Sequence, residues 1–136
     1  MYNRGDGWKS YYKRVYKFGK EKEAQLLPFL TKSFGRDIKP YESQYSKHDF
    51  YCDEYDYELK SRNNKMEAFP DTMIGSNKVI GGKKPIILIF HFTDKTAYIK
   101  YDEELFKTFR IEMFAIEGNQ PQKYYFIPIS KLTILV

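Results

Sequence analysis

Ser46-Lys47-His48-Asp49-Phe50-Tyr51-Cys52-Asp53-Glu54-Tyr55-Asp56-Tyr57-Glu58-Leu59-Lys60-Ser61-Arg62 is the stretch on which the reading of this chain turns. Its second half alternates. Tyr55, Tyr57 and Leu59 fall on one side and Asp56, Glu58 and Lys60 on the other, the period of a β-strand. Residues 46–51 and 55–62 therefore read as two strands around Asp53-Glu54. A two-residue turn there sets Tyr51 opposite Asp56, Phe50 opposite Tyr57 and Asp49 opposite Glu58. Directly opposed residues have Cβ atoms about 4.5–5.5 Å apart, so these two carboxylates repel each other unless a cation lies between them. Asp-Glu is not a favoured pair for a tight turn. A register shifted by one residue would remove Asp49 from the site and bring in Asp56.

Lys60 lies two residues beyond Glu58 on the same face, about 6.5–7 Å along the strand. Two acids and a lysine so placed suit the cleavage of a phosphodiester. The acids hold a divalent ion, and the lysine holds a phosphate, orients water or offsets charge developing in the transition state. Mg2+ fits, being a hard ion bound through one or two carboxylates, waters and substrate phosphates; Mn2+ is expected to substitute. The ion generates hydroxide and polarises phosphorus. The plain alternative is a solvated Glu–Lys pair on an acidic turn.

Upstream, residues 20–34 predict a helix with Leu26, Leu27, Leu30 and Phe34 on its apolar face and Gly35 as its C-terminal cap. Pro28 predicts a kink or a break into two short helices. Glu23 precedes Leu27 by four residues and Leu30 by seven, so it lies on the apolar face. Contact with metal or water would offset its desolvation; a first-turn glutamate stabilised by the helix dipole is the simpler account. Glu21 lies on another face. Residues 1–18 form a basic aromatic lead-in, part helix or part arm, with Lys13 and Arg14 as backbone-binding candidates among Trp8, Tyr11 and Tyr12. Packed aromatics with solvated lysines explain it equally. Arg62 and Lys65, beyond the motif strand, are candidate phosphate contacts.

Downstream, residues 38–50 read as extended and 70–79 as a short helix with Pro70 at its first position and Asp71 in its first turn. Residues 81–84 read as a turn, 85–92 as a buried strand, 97–101 as its hairpin partner and 103–109 as a helical turn. Residues 110–116 and 124–129 complete a further pair of strands. The order predicts an α/β (α+β) domain spanning 1–136, a central mixed sheet flanked by helices. His48 reads as a solvated histidine at a strand start or as a general base. His91 reads as a core or sheet-face residue, and Cys52 as structural.

The chain has 136 residues, net charge +5 and pI 9.1, with thirteen Tyr and eleven Phe. One domain is expected, with a modest preference for a polyanionic partner. A single cysteine and two histidines exclude an intramolecular disulfide and a zinc site of Cys and His. The apolar run at 86–90 is too short to span a membrane, and the N-terminus lacks a signal-peptide core. A cytoplasmic or intracellular protein is expected, not a secreted one. Gly81-Gly82-Lys83-Lys84 lacks nucleotide-loop spacing.

A helix acid, then an Asp, then Glu-x-Lys on the following strand resembles the PD-(D/E)xK nuclease superfamily over residues 19–92. Glu58-Leu59-Lys60 matches the core motif, Asp49 the metal-binding aspartate and Glu23 the helix glutamate. His48 stands where the motif name has Pro. The resemblance implies a restriction-endonuclease-like core and metal-dependent hydrolysis leaving a 5′-phosphate, with Asp49, Glu58 and the Leu59 carbonyl at the metal. It also implies a helix after the motif, carrying Lys78 to the nucleic-acid backbone. Size and charge are similar to those of Holliday-junction resolvases and small phage or viral nucleases, for which an intracellular site means the host cell.

The expectation is therefore a Mg2+-dependent DNA endonuclease, structure-selective, as a monomer or homodimer, with no membrane partner. Its catalytic residues are Glu23, Asp49, Glu58 and Lys60. The alternatives are a ribonuclease, an inactive nucleic-acid-binding module on the same fold, and an interaction protein using tyrosine-rich strands.

Overall fold

The computed structural model describes residues 4–43, 45–80, 82–115 and 118–136, with side chains from Gly19 onward. Helix α1 spans Arg4–Phe34. Among the described residues nine strands follow: β1 Lys39–Pro40, β2 Phe50–Tyr51, β3 Asp56–Ser61, β4 Asp71–Gly75, β5 Ile86–His91, β6 Thr96–Lys100, β7 Arg110–Phe114, β8 Gln122–Pro128 and β9 Thr133–Ile134. A short helix α2, Glu103–Phe106, lies between β6 and β7. One sheet has the order β1-β2-β3-β5-β6-β9 and a second the order β4-β8-β7. The large sheet is mixed: β3 and β5 run parallel, and its other pairs are antiparallel. The chain is thus of mixed α and β structure around a mixed sheet.

β5 explains the layering. Ile86, Leu88 and Phe90 point into one core with Ile74, Phe106 and Ile127. Ile87 and Ile89 point into another, with Leu30, Phe50, Tyr57 and Leu59. A strand buried on both faces loses the polar alternation of a half-exposed one, which is why 86–90 reads as a continuous apolar run. Helix α1 covers one face of the large sheet through Leu26, Leu27, Leu30 and Phe34. The other face packs against the second sheet through Ile74 and Ile127 and against α2 through Phe106.

Three expectations change. The helix is continuous through Pro28, so it is not broken into two short helices. Pro28 and Ala24, four residues before it, are both exposed, so the carbonyl that loses its partner faces water. Gly35, at φ +64°, ends the helix as expected. Among the described residues between 38 and 50, only β1 and the start of β2 are regular.

Residues 70–79 form strand β4 and a 3-10 turn over Ser76–Lys78, not a helix. Thr72 and Ile74 are buried while Asp71, Met73 and Gly75 are less so. That period of two is paired along its whole length with β8. Local helix-start chemistry at Pro70-Asp71 is overridden by partners about fifty residues away in sequence.

The hairpin has the register given by a two-residue turn. The Cys52 N–H donates to the Tyr55 carbonyl at 2.9 Å. Phe50 pairs with Tyr57 and Tyr51 with Asp56. β2 ends there, and the Asp49 side chain replaces the next rung: its Oδ2 accepts the Leu59 N–H at 2.8 Å, while its own N–H donates to the Tyr57 carbonyl at 3.0 Å.

Candidate active site

Glu58 projects from β3 on the face away from helix α1 and is 3 % exposed. Its Oε1 lies 3.5 Å from Lys60 Nζ and 3.4 Å from Lys78 Nζ. Its Oε2 is buried with no hydrogen-bond partner. Burial, then the Asp49 charge, pushes the Glu58 carboxyl above its usual range; Lys60, Lys78 and His48 pull it back. A buried carboxylate oxygen without a donor is costly, so this one is suited to a cation.

Asp49 joins the hairpin to helix α1. Glu23 is hydrogen-bonded to Asp49, and Lys20 lies 3.2 Å from Glu23. Burial, then the Asp49 charge and the hydrogen bond to it, lifts the Glu23 carboxyl from 4.5 to about 7 against the pull of Lys20. Two carboxyls sharing a hydrogen bond need a proton between them. Glu23, Asp49, Glu58 and Lys60 are therefore brought into one electrostatically linked group. Asp56 is not part of it: it accepts from the Tyr41 hydroxyl and lies 3.9 Å from His48 Nδ1.

Among the described residues no three His, Cys, Asp or Glu side chains form a group able to hold a metal ion by themselves. A cation here would rest on two carboxylates and complete its shell with backbone and water, the pattern usual for Mg2+. The Leu59 N–H points to the β2 edge to reach Asp49. In an extended strand the carbonyl of the same residue points to that edge too, beyond the last β2 pair. Asp49, Glu58 and the Leu59 carbonyl are the groups that would hold such an ion, and the buried Glu58 Oε2 without a donor is the observation that favours one there.

The remaining candidates divide. Lys78 lies on the 3-10 turn and is paired with Glu58. Arg62 is held inside: its Nε donates to Thr72 Oγ1 at 3.2 Å, its Nη2 donates to the Met73 carbonyl at 2.6 Å, and its guanidinium lies 5.5 Å from the Phe90 ring centre. Burial lowers its pKa. Arg62 joins the two sheets, and two of its donors are committed before any phosphate arrives. Lys65 is exposed, outside this group. The side chains of Lys13 and Arg14 lie outside the described residues.

His48 corrects the expectation of a solvated residue. It is 5 % exposed, and its Nε2 donates to the Lys78 carbonyl at 3.0 Å. It fixes the turn that carries Lys78 and so acts as a positioning residue. His91 is half-buried, with Nδ1 2.8 Å from Thr96 Oγ1, and Cys52 is buried 3.5 Å from the Tyr57 hydroxyl; neither belongs to the site. The cluster also borders residues that no local motif marked: Gly75, Asn77, Gln122 and Tyr124 share a cleft with Lys60 and Lys78. Gln122 and Tyr124 come from β8, and only strand pairing brings them here.

The proton on Glu23 has a measurable consequence. A carboxyl whose pKa is raised on folding lends stability that is complete below about 4.5 and is lost as pH rises through about 7. Glu23→Gln keeps the contact with Asp49 without a proton. In EDTA the variant's melting temperature should exceed that of the wild type by a margin that grows from pH 5 to pH 8. A margin independent of pH would remove the shared proton from this account.

The chain matches no known family model, no characterised protein and no solved structure. Among the described residues no helix is long and apolar enough to cross a membrane.

Proposed function

We propose that this protein is a divalent-metal-dependent nuclease that hydrolyses phosphodiester bonds in DNA, built on a PD-(D/E)xK-type core. Glu58 carries the reading: one oxygen lies between two lysines, and the other is buried without a donor in the field of Asp49. A solvated Glu–Lys pair would leave neither oxygen buried. The succession of helix glutamate, hairpin aspartate and Glu-x-Lys on the next strand, linked from Glu23 to Asp49, from Asp49 to the field at Glu58 and from Glu58 to Lys60, supports the restriction-endonuclease-like core.

Mg2+ or Mn2+ held by Asp49, Glu58 and the Leu59 carbonyl would supply an acidified water and a polarised phosphate. The chain's own residues do the rest. Lys60, one-third exposed, orients the attacking water or meets charge on the phosphate oxygens. Lys78 balances Glu58 from the far side and presents a second cation to the substrate. Glu23 holds the proton shared with Asp49 and can release it near neutral pH.

The test is a panel of junction, flap, duplex and single-stranded DNA and RNA, each with Mg2+, Mn2+ or EDTA. Cleavage of DNA with either ion and none in EDTA is expected. Binding without cleavage under every condition would replace this reading with an inactive nucleic-acid-binding module.

A further inference from the structure

Beside Glu58 a cleft of about 240 Å³ opens between β3 and the second sheet, lined by Lys60, Arg62, Gly75, Asn77, Lys78, Gln122 and Tyr124 among others. No described acid lines it. Lys60 and Lys78 share the single Glu58 carboxylate behind the wall. Arg62 adds a third cation to a lining without an acid, so the wall itself is positively charged, which suits a phosphate.

The other lining residues have different chemistry. Gly75 has an ordinary φ of −66°, so its lack of a side chain answers to space, not backbone strain. A Cβ there would lie 2.7 Å from Asn77 Oδ1 and 3.3 Å from Gln122 Oε1. The two amides therefore close over a bare backbone. Each carries a donor and an acceptor, as the edge of a nucleobase does. The Tyr124 ring is held by stacking on Phe114, with centroids 4.4 Å apart and planes at 13°. Cations, two amides and an aromatic lining one cleft match a phosphate joined to a base.

We propose that this cleft holds one unpaired nucleotide, with its phosphate against Lys60 and Lys78 and its base against the Asn77 and Gln122 amides. The protein then cuts beside unpaired nucleotides in preference to continuous duplex. This rests on the nuclease reading for its activity but not for its binding.

The binding test is titration of the metal-free protein with inorganic phosphate and with nucleoside 5′-monophosphates, followed by NMR. Nucleotides should bind at least about tenfold more tightly than phosphate, the size of one good amide–base contact. The double variant Asn77→Ala/Gln122→Ala, checked for folding by circular dichroism, should bind nucleotides no better than phosphate. Equal affinity for both ligands in the wild type, or binding of neither, would overturn the proposal. The activity test compares flap or single-stranded DNA with continuous duplex in Mg2+. The wild type should prefer the unpaired substrate and the double variant should lose that preference. A wild type that binds nucleotides tightly but cuts no nucleic acid would sink the nuclease reading and leave the cleft assigned. One that cuts all substrates alike, with nucleotides no tighter than phosphate, would do the reverse.

Discussion

Asp49→Asn, Glu58→Gln and Lys60→Ala should each lower Mg2+-dependent cleavage by about 10²–10³-fold or more, the effect of removing one positioned charge from a transition state. In each case the fold should survive, for a different reason. Asn at 49 keeps an oxygen for the Leu59 N–H, so the hairpin retains the rung that this side chain supplies. Removing Lys60 leaves Glu58 paired with Lys78 at 3.4 Å, so no buried carboxylate is stranded without a cation. Gln at 58 removes a desolvated charge, while both lysines, about one-third exposed, can turn to water. That variant should therefore melt above the wild type at pH 8 in EDTA while being inactive, because the raised Glu58 pKa means the folded state resists ionising it. Stopped-flow or gel cleavage assays with thermal melts read both quantities. Wild-type rates in the Asp49 and Lys60 variants would show that the chemistry lies elsewhere.

Phe90→Ala should destabilise the protein by about 3–5 kcal/mol, the range for truncating a buried aromatic. Phe90 has no exposed surface. Its ring stacks near Phe92 with centroids 6.4 Å apart, and the Arg62 guanidinium lies 5.5 Å from its centre. The cavity would open beside a half-dry cation whose two donors hold β4, so the junction of the two sheets loosens as well. Against a typical domain stability of about 5–15 kcal/mol this is a large share. The urea midpoint should fall with little change in slope. A loss under about 1 kcal/mol, no more than an average point mutation, would mean that the core between the sheets is not packed as described.

Much of the site was legible because it is local. Alternation in 55–60 and the length of the turn at Asp53-Glu54 determine which side chains of a hairpin meet, and those two counts placed Asp49 beside Glu58. Glu23 followed from helical spacing against Leu27 and Leu30. What was hidden depends on partners remote in the chain. Nothing near His48 announces that its ring will be capped by the carbonyl of Lys78, thirty residues on. Pro70-Asp71 is sound helix-start chemistry, and only β8 makes it a strand. Arg62 looked like a surface cation because its acceptors, on Thr72 and Met73, belong to the strand misread as a helix. The cleft members Gln122 and Tyr124 carry no signal until the second sheet is assembled.

β5 has a further consequence. Because consecutive residues of this one strand enter both cores, helix α1 and the second sheet cannot detach from it independently without exposing its apolar surface. Its amide protons should therefore exchange with solvent only when the entire molecule opens, whereas those of residues 42, 43, 45 and 47, which lie outside the helices and strands, should exchange through small local fluctuations. Glu58 and Lys60 lie on β3, the parallel neighbour of that slow-exchanging strand. Asp49, one residue before β2, is tied to β3 by its own N–H and by its carboxylate, so it shares in that protection although it lies outside the regular strand.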